Sequence, residues 1–165
     1  VVIPKEIRRT MRIREGDPLE IYTSRDGEVI FKKYSLLGGV EDFAGQLCET
    51  MSRSTGSICA VTDRDTVISV AGGGKRELLG KRITPELEQV MESRRIYQYD
   101  GESQPIGVTD GAEKLMTNIA APILSEGDLL GLVLFIGTNP GPAAGEAEYK
   151  LAQTIAAFLG RHLES

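Results

Sequence analysis

The sequence predicts an α+β protein with antiparallel sheets, and three observations support that fold class. First, short β-rich runs occur in neighbouring pairs, at residues 19–23 with 29–33, 57–62 with 66–71, and 115–124 with 129–136. Second, turn-forming residues join the members of each pair, which indicates hairpins and antiparallel pairing. Third, apolar residues at helical spacing lie between and after these pairs, at residues 40–51, 83–91 and 146–163.

The first 34 residues predict the end of a strand, a short helix and a hairpin. Residues 1–3 form an apolar run, so we expect part of a strand to precede Val1. Pro4 suits the first position of a helix that extends to Met11, because the missing N–H has no helical partner there. Asp26-Gly27 predicts a two-residue hairpin turn in which both residues adopt positive φ.

Basic side chains are concentrated on one side of this short helix. At 100° per residue, Lys5, Arg8, Arg9 and Arg12 fall within an arc of roughly 100°. Ile3, Ile7 and Met11 fall on the opposite side. Residues 1–34 hold eight basic and six acidic residues, a charge of +2, whereas the remainder carries −7. This asymmetry indicates a nucleic-acid-facing end, although a solvated helix face would give the same pattern.

The N-terminal segment is too short to build a core of its own. Segments below about 40 residues usually need a metal, a disulfide or a partner chain. The two cysteines, Cys48 and Cys59, lie outside this segment and have no neighbouring ligands for a metal. Oligomerisation is therefore the expected source of stability.

From residue 40 the pattern predicts helix, two strands, helix, strand, loop, two strands and helix. Thr84-Pro85 predicts a capped helix start, and Ser125-Glu126-Gly127-Asp128 predicts a turn between two long strands. Residues 99–113 are polar and glycine-rich, which predicts a mobile loop, a candidate lid over a sensor site. The first and last helices carry broad apolar stripes, which fit either the sheet or the same helices of a partner chain.

Four features could carry catalysis or ligand binding, and each has a simpler interpretation. The glycine run 72–74 before Lys75 fails the phosphate-loop pattern, since Ser69 and Arg76 occupy the positions of its first glycine and its Ser or Thr. Asp63 and Asp65 flank a turn, where aspartates bond their own backbone. His162, the single histidine, lies on an apolar stripe, and both cysteines fit apolar packing. We therefore expect no enzyme, no cofactor and no metal.

Composition places the chain among globular proteins. It has 165 residues, 41% hydrophobic and 26% charged. No run of about 18 apolar residues could span a bilayer. Early charges exclude a secretory signal core, and two unpaired cysteines suit a reducing compartment, so a cytoplasmic location is expected.

Residues 1–34 closely resemble the swapped-hairpin DNA-binding domain of the AbrB family. The resemblance keeps its register over three segments: VVIPKEIRRT, GDPLEI and DGEVIFKKY. It is nearest to the sporulation regulators of that family, and residues 35–165 resemble the GAF-type domain that follows in them. The family's domain also includes a strand ending in Gly-Arg that would precede Val1.

The resemblance implies that two chains exchange hairpins to form one intertwined dimer that binds double-stranded DNA. It implies DNA contact by Arg8 and Arg9, with Lys5 a phosphate contact and Arg12 a weaker expectation, whereas Lys32 and Lys33 are expected to be solvated. The GAF-type domain implies an unidentified small-molecule ligand and pairing into homotetramers. The expected function is regulation of sporulation or developmental genes, as activator or repressor.

Two other functions remain open from the sequence. Swapped-hairpin domains also occur in antitoxins, which bind a protein toxin through an additional tail, but here a folded domain of about 130 residues replaces that tail. The chain could also be a small-molecule sensor whose N-terminal domain no longer regulates DNA.

Overall fold

The computed structural model describes residues 2–33 and 40–163, and the chain divides into two compact units, Val1–Gly38 and Gly39–Ser165. The predicted junction at residues 35–39 lies outside the described residues.

The N-terminal unit contains helix α1 (Lys5–Met11) and a hairpin of strands β1 (Leu19–Thr23) and β2 (Val29–Lys33). The predicted helix and both strands are confirmed within one residue. Residues 2–4 belong to no strand in the single chain, and Val2 is fully open to solvent. Helix α1 ends where Arg12 adopts a left-handed conformation, with φ 55°.

The first hairpin has a three-residue turn rather than the predicted two-residue turn. Ser24 N donates to Glu28 O (3.0 Å) and Gly27 N donates to Ser24 O (3.2 Å), so residues 25–27 form the loop. Gly27 has φ 86°, but Asp26 does not take positive φ, and the prediction for Asp26 is wrong. A three-residue loop that ends in a left-handed glycine is the next most common hairpin connection.

The second unit is built on a five-stranded antiparallel sheet in the order β4-β3-β7-β6-β5. Its strands are β3 (Ile58–Thr62), β4 (Val67–Ala71), β5 (Tyr97–Gln98), β6 (Leu115–Ser125) and β7 (Asp128–Thr138). Its helices are α2 (Glu41–Thr55), α3 (Lys75–Leu78), α4 (Pro85–Ser93) and α5 (Glu146–His162). The predicted order is confirmed, with α3 as an additional short helix.

Strands β6 and β7 form the long central hairpin of this sheet. Ser125 pairs with Asp128, and the two residues between them, Glu126 and Gly127, have φ 51° and 85°. A two-residue turn with positive φ at both positions therefore occurs at Glu126-Gly127, within the predicted turn 125–128, and not at Asp26-Gly27. Residues 129–136 of β7 are buried without a break, as expected of a strand covered on both faces.

Helices cover both faces of the sheet. Side chains alternate along a strand, so Ala60 and Leu134 share one face, where they pack with Leu87 and Met91 of α4. Their neighbours on the opposite face include Ser69, whose carbonyl accepts from Cys48 Sγ of α2. Helix α5 contacts β6 and β7. The sheet thus lies between two helical layers, α2 with α5 and α3 with α4.

The segment 99–113 is fixed to the sheet, so the prediction of a mobile loop is wrong. Thr117 N donates to Ile106 O (2.8 Å) and Thr84 N donates to Val108 O (3.0 Å). Val108 is fully buried in the core beneath α4. The composition of the segment is polar and glycine-rich, so it did not indicate these few anchoring residues. A segment whose Val108 is buried in the core cannot open as a lid.

Thr84 links two parts of this fold through one hydroxyl. Its Oγ1 accepts from Leu87 N (3.1 Å), which caps α4, and donates to Gly107 O (2.8 Å). Replacing Thr84 with Ala removes the cap and leaves a carbonyl without its donor. We expect the free energy of unfolding to fall by about 1–2 kcal/mol, measured by urea denaturation followed by circular dichroism.

Thr154→Ala is the matched control for that substitution. Thr154 is exposed in α5, and its hydroxyl bonds only back to Lys150 O of the same helix. Its replacement should change stability by less than about 0.5 kcal/mol. Equal losses in the two variants would contradict the capping role of Thr84.

Candidate nucleic-acid interface

Helix α1 is short, exposed and closed at both ends by backbone bonds. Pro4 O accepts from Arg8 N (3.0 Å), and Arg8 O accepts from Ile13 N (2.8 Å) after the chain turns at Arg12. No residue of α1 is buried in the single chain. Every side chain of the helix is therefore accessible to solvent, and the spacing along its two turns determines which side chains lie on the same face.

Three of the four predicted DNA-contacting residues lie together on α1. Lys5, Arg8 and Arg9 belong to the helix and are exposed. Arg12 lies beyond the last helical residue in the left-handed region, so helical spacing does not place it on the basic face, and it is half-buried. The prediction that all four residues share one helical face is wrong for Arg12, because the left-handed conformation of this residue turns the chain away from the helical path.

Lys33, which was predicted to be solvated, connects the hairpin to the turn after α1. Lys33 is half-buried, and its Nζ donates to Arg12 O (3.2 Å), 21 residues away. The expectation of a solvated Lys33 is therefore wrong, whereas Lys32 is exposed as predicted. Arg14 and Asp17 exchange two bonds, Arg14 N to Asp17 Oδ2 (2.8 Å) and Asp17 N to Arg14 O (3.0 Å), which fix the turn into β1.

Apolar side chains of the N-terminal unit stay exposed on both the helix and the hairpin. Ile21 is 61% exposed and Val29 is 59% exposed. Ile7, Met11, Tyr22 and Ile30 are each more than a third exposed. Burying such side chains stabilises a fold by about 1.5–3 kcal/mol each, and this single unit does not gain that stabilisation.

The second unit has an exposed aromatic seam between α2 and α5. The Phe43 ring lies 4.7 Å from His162 and 5.9 Å from Phe158, centroid to centroid. Phe158 is 48% exposed, whereas Ala152, Ala156 and Leu159 of the same helix are buried against the sheet. The structure therefore divides the apolar stripe of α5 between a core side and a solvent side, and His162 lies on the solvent side.

A cleft of about 480 Å³ opens beside α3 in the second unit. Ala112 and Leu115 give it an apolar lining, and Glu77, Glu113 and Lys114 give it charge. Thr109 Oγ1 donates to Glu77 O (3.1 Å) and holds one side of the cleft. Thr117, two residues beyond Leu115 on β6, is fully buried, and its hydroxyl has no hydrogen-bond partner among the described residues.

The other residues considered for catalysis lie in a turn, in the case of Asp63 and Asp65, or in the core, in the case of Cys48 and Cys59. Asp63 Oδ1 accepts from Asp65 N and Thr66 N (both 2.8 Å), the turn geometry expected from the sequence. Burial raises the pKa of Cys48 to about 11 and that of Cys59 to about 12, so both thiols are neutral near pH 7. Within residues 2–33 and 40–163, no three His, Cys, Asp or Glu side chains gather as metal ligands.

Family models match both parts of the chain. Residues 39–164 match the family model described as stage V sporulation protein T C-terminal, transcription factor. Residues 1–35 match the model for MazE, a bacterial antitoxin of antidote-toxin recognition. Stage V sporulation protein T of Bacillus subtilis (strain 168) is 41% identical over 165 residues, covering 99% of this chain and 91% of that protein.

Solved structures with the same fold confirm the GAF architecture. A type II free methionine-R-sulfoxide reductase from Thermoplasma acidophilum aligns with a TM-score of 0.54 at 15% identity, covering 75% of this chain and 94% of that one. A GAF domain/HD domain protein from Geobacter sulfurreducens gives 0.53 at 16%, covering 77% and 93%. The GAF domain of the nutrient sensor CodY from Clostridium difficile gives 0.50 at 14%, covering 98% and 99%.

An AbrB-like hairpin unit with an exposed basic helix, followed by a GAF fold, defines a class of bacterial transcription regulators. The chain belongs to the stage V sporulation protein T family, and the resemblance predicted from the sequence is confirmed. The likeness to the reductase is one of fold alone. None of the helices described is long and apolar enough to cross a membrane.

Proposed function

We propose that this protein regulates sporulation genes by binding double-stranded DNA as a dimer of its N-terminal unit. One observation carries the proposal: the unit combines an exposed basic helix with apolar side chains that stay exposed on both the helix and the hairpin. The family relation to stage V sporulation protein T supports the same function. Residues 1–34 serve as the DNA-binding domain and residues 35–165 as the sensing and assembly domain.

Dimerisation follows from the missing core of the N-terminal unit. Ile21 and Val29 lie on the same face of the hairpin, since Ile21 pairs with Phe31 and Thr23 with Val29. Tyr22 and Ile30 form a pair on the opposite face. Among the described residues both faces keep apolar side chains exposed, so two copies that exchange hairpins would bury both faces and supply the stability that about 34 residues cannot.

The dimer then presents the basic helix twice. Arg8 and Arg9 are exposed and adjacent, and a guanidinium group binds phosphate or guanine with a fixed fork of donors. Lys5 adds a point charge one turn earlier, suited to phosphate. Arg12 contributes from the turn after α1 rather than from the helical face. Recognition by so small a surface relies on DNA shape as well as base edges.

Arg8→Ala/Arg9→Ala should weaken DNA binding and reduce its dependence on salt. Each phosphate contact contributes about 0.9 to the slope of log K against log salt concentration, so removing four contacts per dimer lowers the slope by up to about 3.6. Electrophoretic shift or fluorescence anisotropy over a salt series, with full-length protein and promoter fragments, measures both quantities.

Arg76→Ala/Arg95→Ala is the charge-matched control. It also removes two exposed arginines, but from the second unit, and it should leave the salt slope unchanged. Equal slopes for the Arg8/Arg9 variant and the wild type would place the DNA contacts elsewhere. Absence of any DNA binding by the wild type at low salt would overturn the regulator function itself.

The aromatic seam of the second unit is where we propose that dimers join into a tetramer. Phe43 and Phe158 each stack on His162, with their own rings tilted by 45° to one another, and Phe158 is 48% exposed. Exposed aromatic groups of this kind are enriched at the centres of interfaces. Pairing of α2 and α5 with the same helices of another copy would cover them.

Phe158→Glu should convert tetramers into dimers, because it places a charge in the proposed interface. The measurement is the molar mass by size-exclusion chromatography with light scattering. Leu124→Glu, a charge added at a residue exposed to a similar degree on β6, should keep the tetramer. A tetrameric Phe158→Glu variant would exclude the seam as the interface.

We propose that the cleft beside α3 binds the small molecule that the second unit senses. Its apolar lining and three charged side chains fit a ligand with both an apolar and an ionised part. The CodY fragment of similar fold is described as a cofactor-binding domain of a nutrient sensor, which supports a sensing role. Ligand binding would act on DNA only through different affinities for two states of the protein.

Glu113→Trp should block this response by filling the cleft with an indole. The expected result is loss of signal-dependent expression from a sporulation-gene reporter in cells, with DNA binding by the purified variant unchanged. Glu92→Trp, at an exposed position of α4, is the control and should keep the response. A normal reporter response in the Glu113→Trp strain would exclude the cleft.

A protein-binding function analogous to that of an antitoxin is the second candidate. The match of residues 1–35 to the MazE model favours it. A folded unit occupies the place of an antitoxin's toxin-binding tail in this chain, which argues for the regulator. Copurification of a small toxin together with failure to bind promoter DNA would favour the antitoxin-like function.

A further inference from the structure

Strand β4 is an edge of the five-stranded sheet and has features that suit it to pairing with another chain. Its one neighbour in the sheet is β3. Besides β3, Val67 N donates to Lys81 O (2.9 Å), Gly80 N donates to Val67 O (2.9 Å), and Ser69 O accepts from Cys48 Sγ of α2 (4.0 Å). Residues 68–71, Ile-Ser-Val-Ala, contain no charge and no proline, the usual protections of an exposed edge.

A continuous groove follows this edge. Two adjoining clefts of about 310 and 320 Å³ share Glu49, Val70 and Lys75 in their linings. Together they extend from Ile68 to Gly73, and at about 3.3 Å per residue this length holds an extended segment of five or six residues. Helix α2 forms one wall, and α3 with Leu79 forms the other.

The two walls of the groove differ in chemistry. Asp42 and Glu49 stand on the α2 wall, both exposed. Leu79, 40% exposed, lies on the other wall near the half-buried Ile68, and Lys75 of α3 stands on the same wall. Arg53 lines the α2 side of the cleft that reaches Gly73. Successive side chains of an extended segment point to opposite sides, so one set would meet Asp42 and Glu49 and the other set would meet Ile68 and Leu79.

We propose that β4 binds an extended segment of another protein, in which basic and apolar residues alternate, as a sixth strand of the sheet. Main-chain hydrogen bonds to the free edge of β4 provide affinity, and the two walls select the side chains. Lys or Arg of the segment pairs with Asp42 and Glu49, and its apolar residues pack on Ile68 and Leu79. Within the second unit, the lining of this groove shares no residue with the aromatic seam or with the cleft beside α3.

The test uses the full chain and a dye-labelled, end-capped hexapeptide of alternating Lys and Val. Fluorescence anisotropy should show saturable binding, and hydrogen exchange should slow at the amides of residues 68–71. A peptide of alternating Glu and Val should bind more weakly. The Lys-Val peptide with alternate N-methylated residues should not bind, because it keeps the charge but cannot pair as a strand.

Variants on the α2 wall locate the binding. Asp42→Lys/Glu49→Lys should weaken binding of the Lys-Val peptide by at least about fivefold, the loss expected for two exposed ion pairs. Glu92→Lys/Glu102→Lys makes the same charge change at exposed positions outside the groove and should bind as the wild type does. Unchanged exchange at residues 68–71, or equal binding of the N-methylated peptide, would overturn the proposal.

Discussion

Burial of β7 on both faces is the constraint on which the second unit depends. An apolar strand in the middle of a sheet needs helical layers above and below it, and α2 with α5 and α3 with α4 provide them. Close packing around the strand requires small residues: a side chain at Gly131 would collide with Thr62 O, and one at Gly160 of α5 would collide with Leu124 O. The tight turn at Glu126-Gly127 makes β6 and β7 adjacent without a longer loop.

The N-terminal unit, in contrast, has no fully buried strand among its described residues. It holds its helix and hairpin together with a few polar links, such as Lys33 to Arg12 O, and leaves its apolar side chains at the surface. In the proposed dimer, association would bury these side chains and would also duplicate the basic helix. Stability and DNA binding would then have the same cause in this part of the molecule, because the contact that completes the fold would also double the charge facing DNA.

The second unit offers surfaces that differ in chemistry and in position. The seam of Phe43 and Phe158 is aromatic, the cleft beside α3 mixes apolar and charged groups, and the β4 edge lies between the carboxylates of α2 and a wall formed by Lys75 and Leu79. We propose a different class of partner for each surface: a second copy, a small molecule and an extended peptide. If all three proposals hold, assembly, ligand and protein signals would each change the population of states that bind DNA.

The sequence by itself determined the element order, the α+β class, the hairpin positions and the basic residues of α1, because local spacing and turn chemistry encode these features. It also carried the family resemblance, through motifs that keep their register from Val1 to Tyr34. Only the tertiary structure decided the rest. Arg12 leaves the helical face because it adopts a left-handed conformation, Val108 anchors a segment whose composition indicates a loop, and Asp26 avoids positive φ in a longer turn. The division of the α5 stripe between core and seam likewise depends on contacts between residues far apart in sequence, which no local pattern specifies.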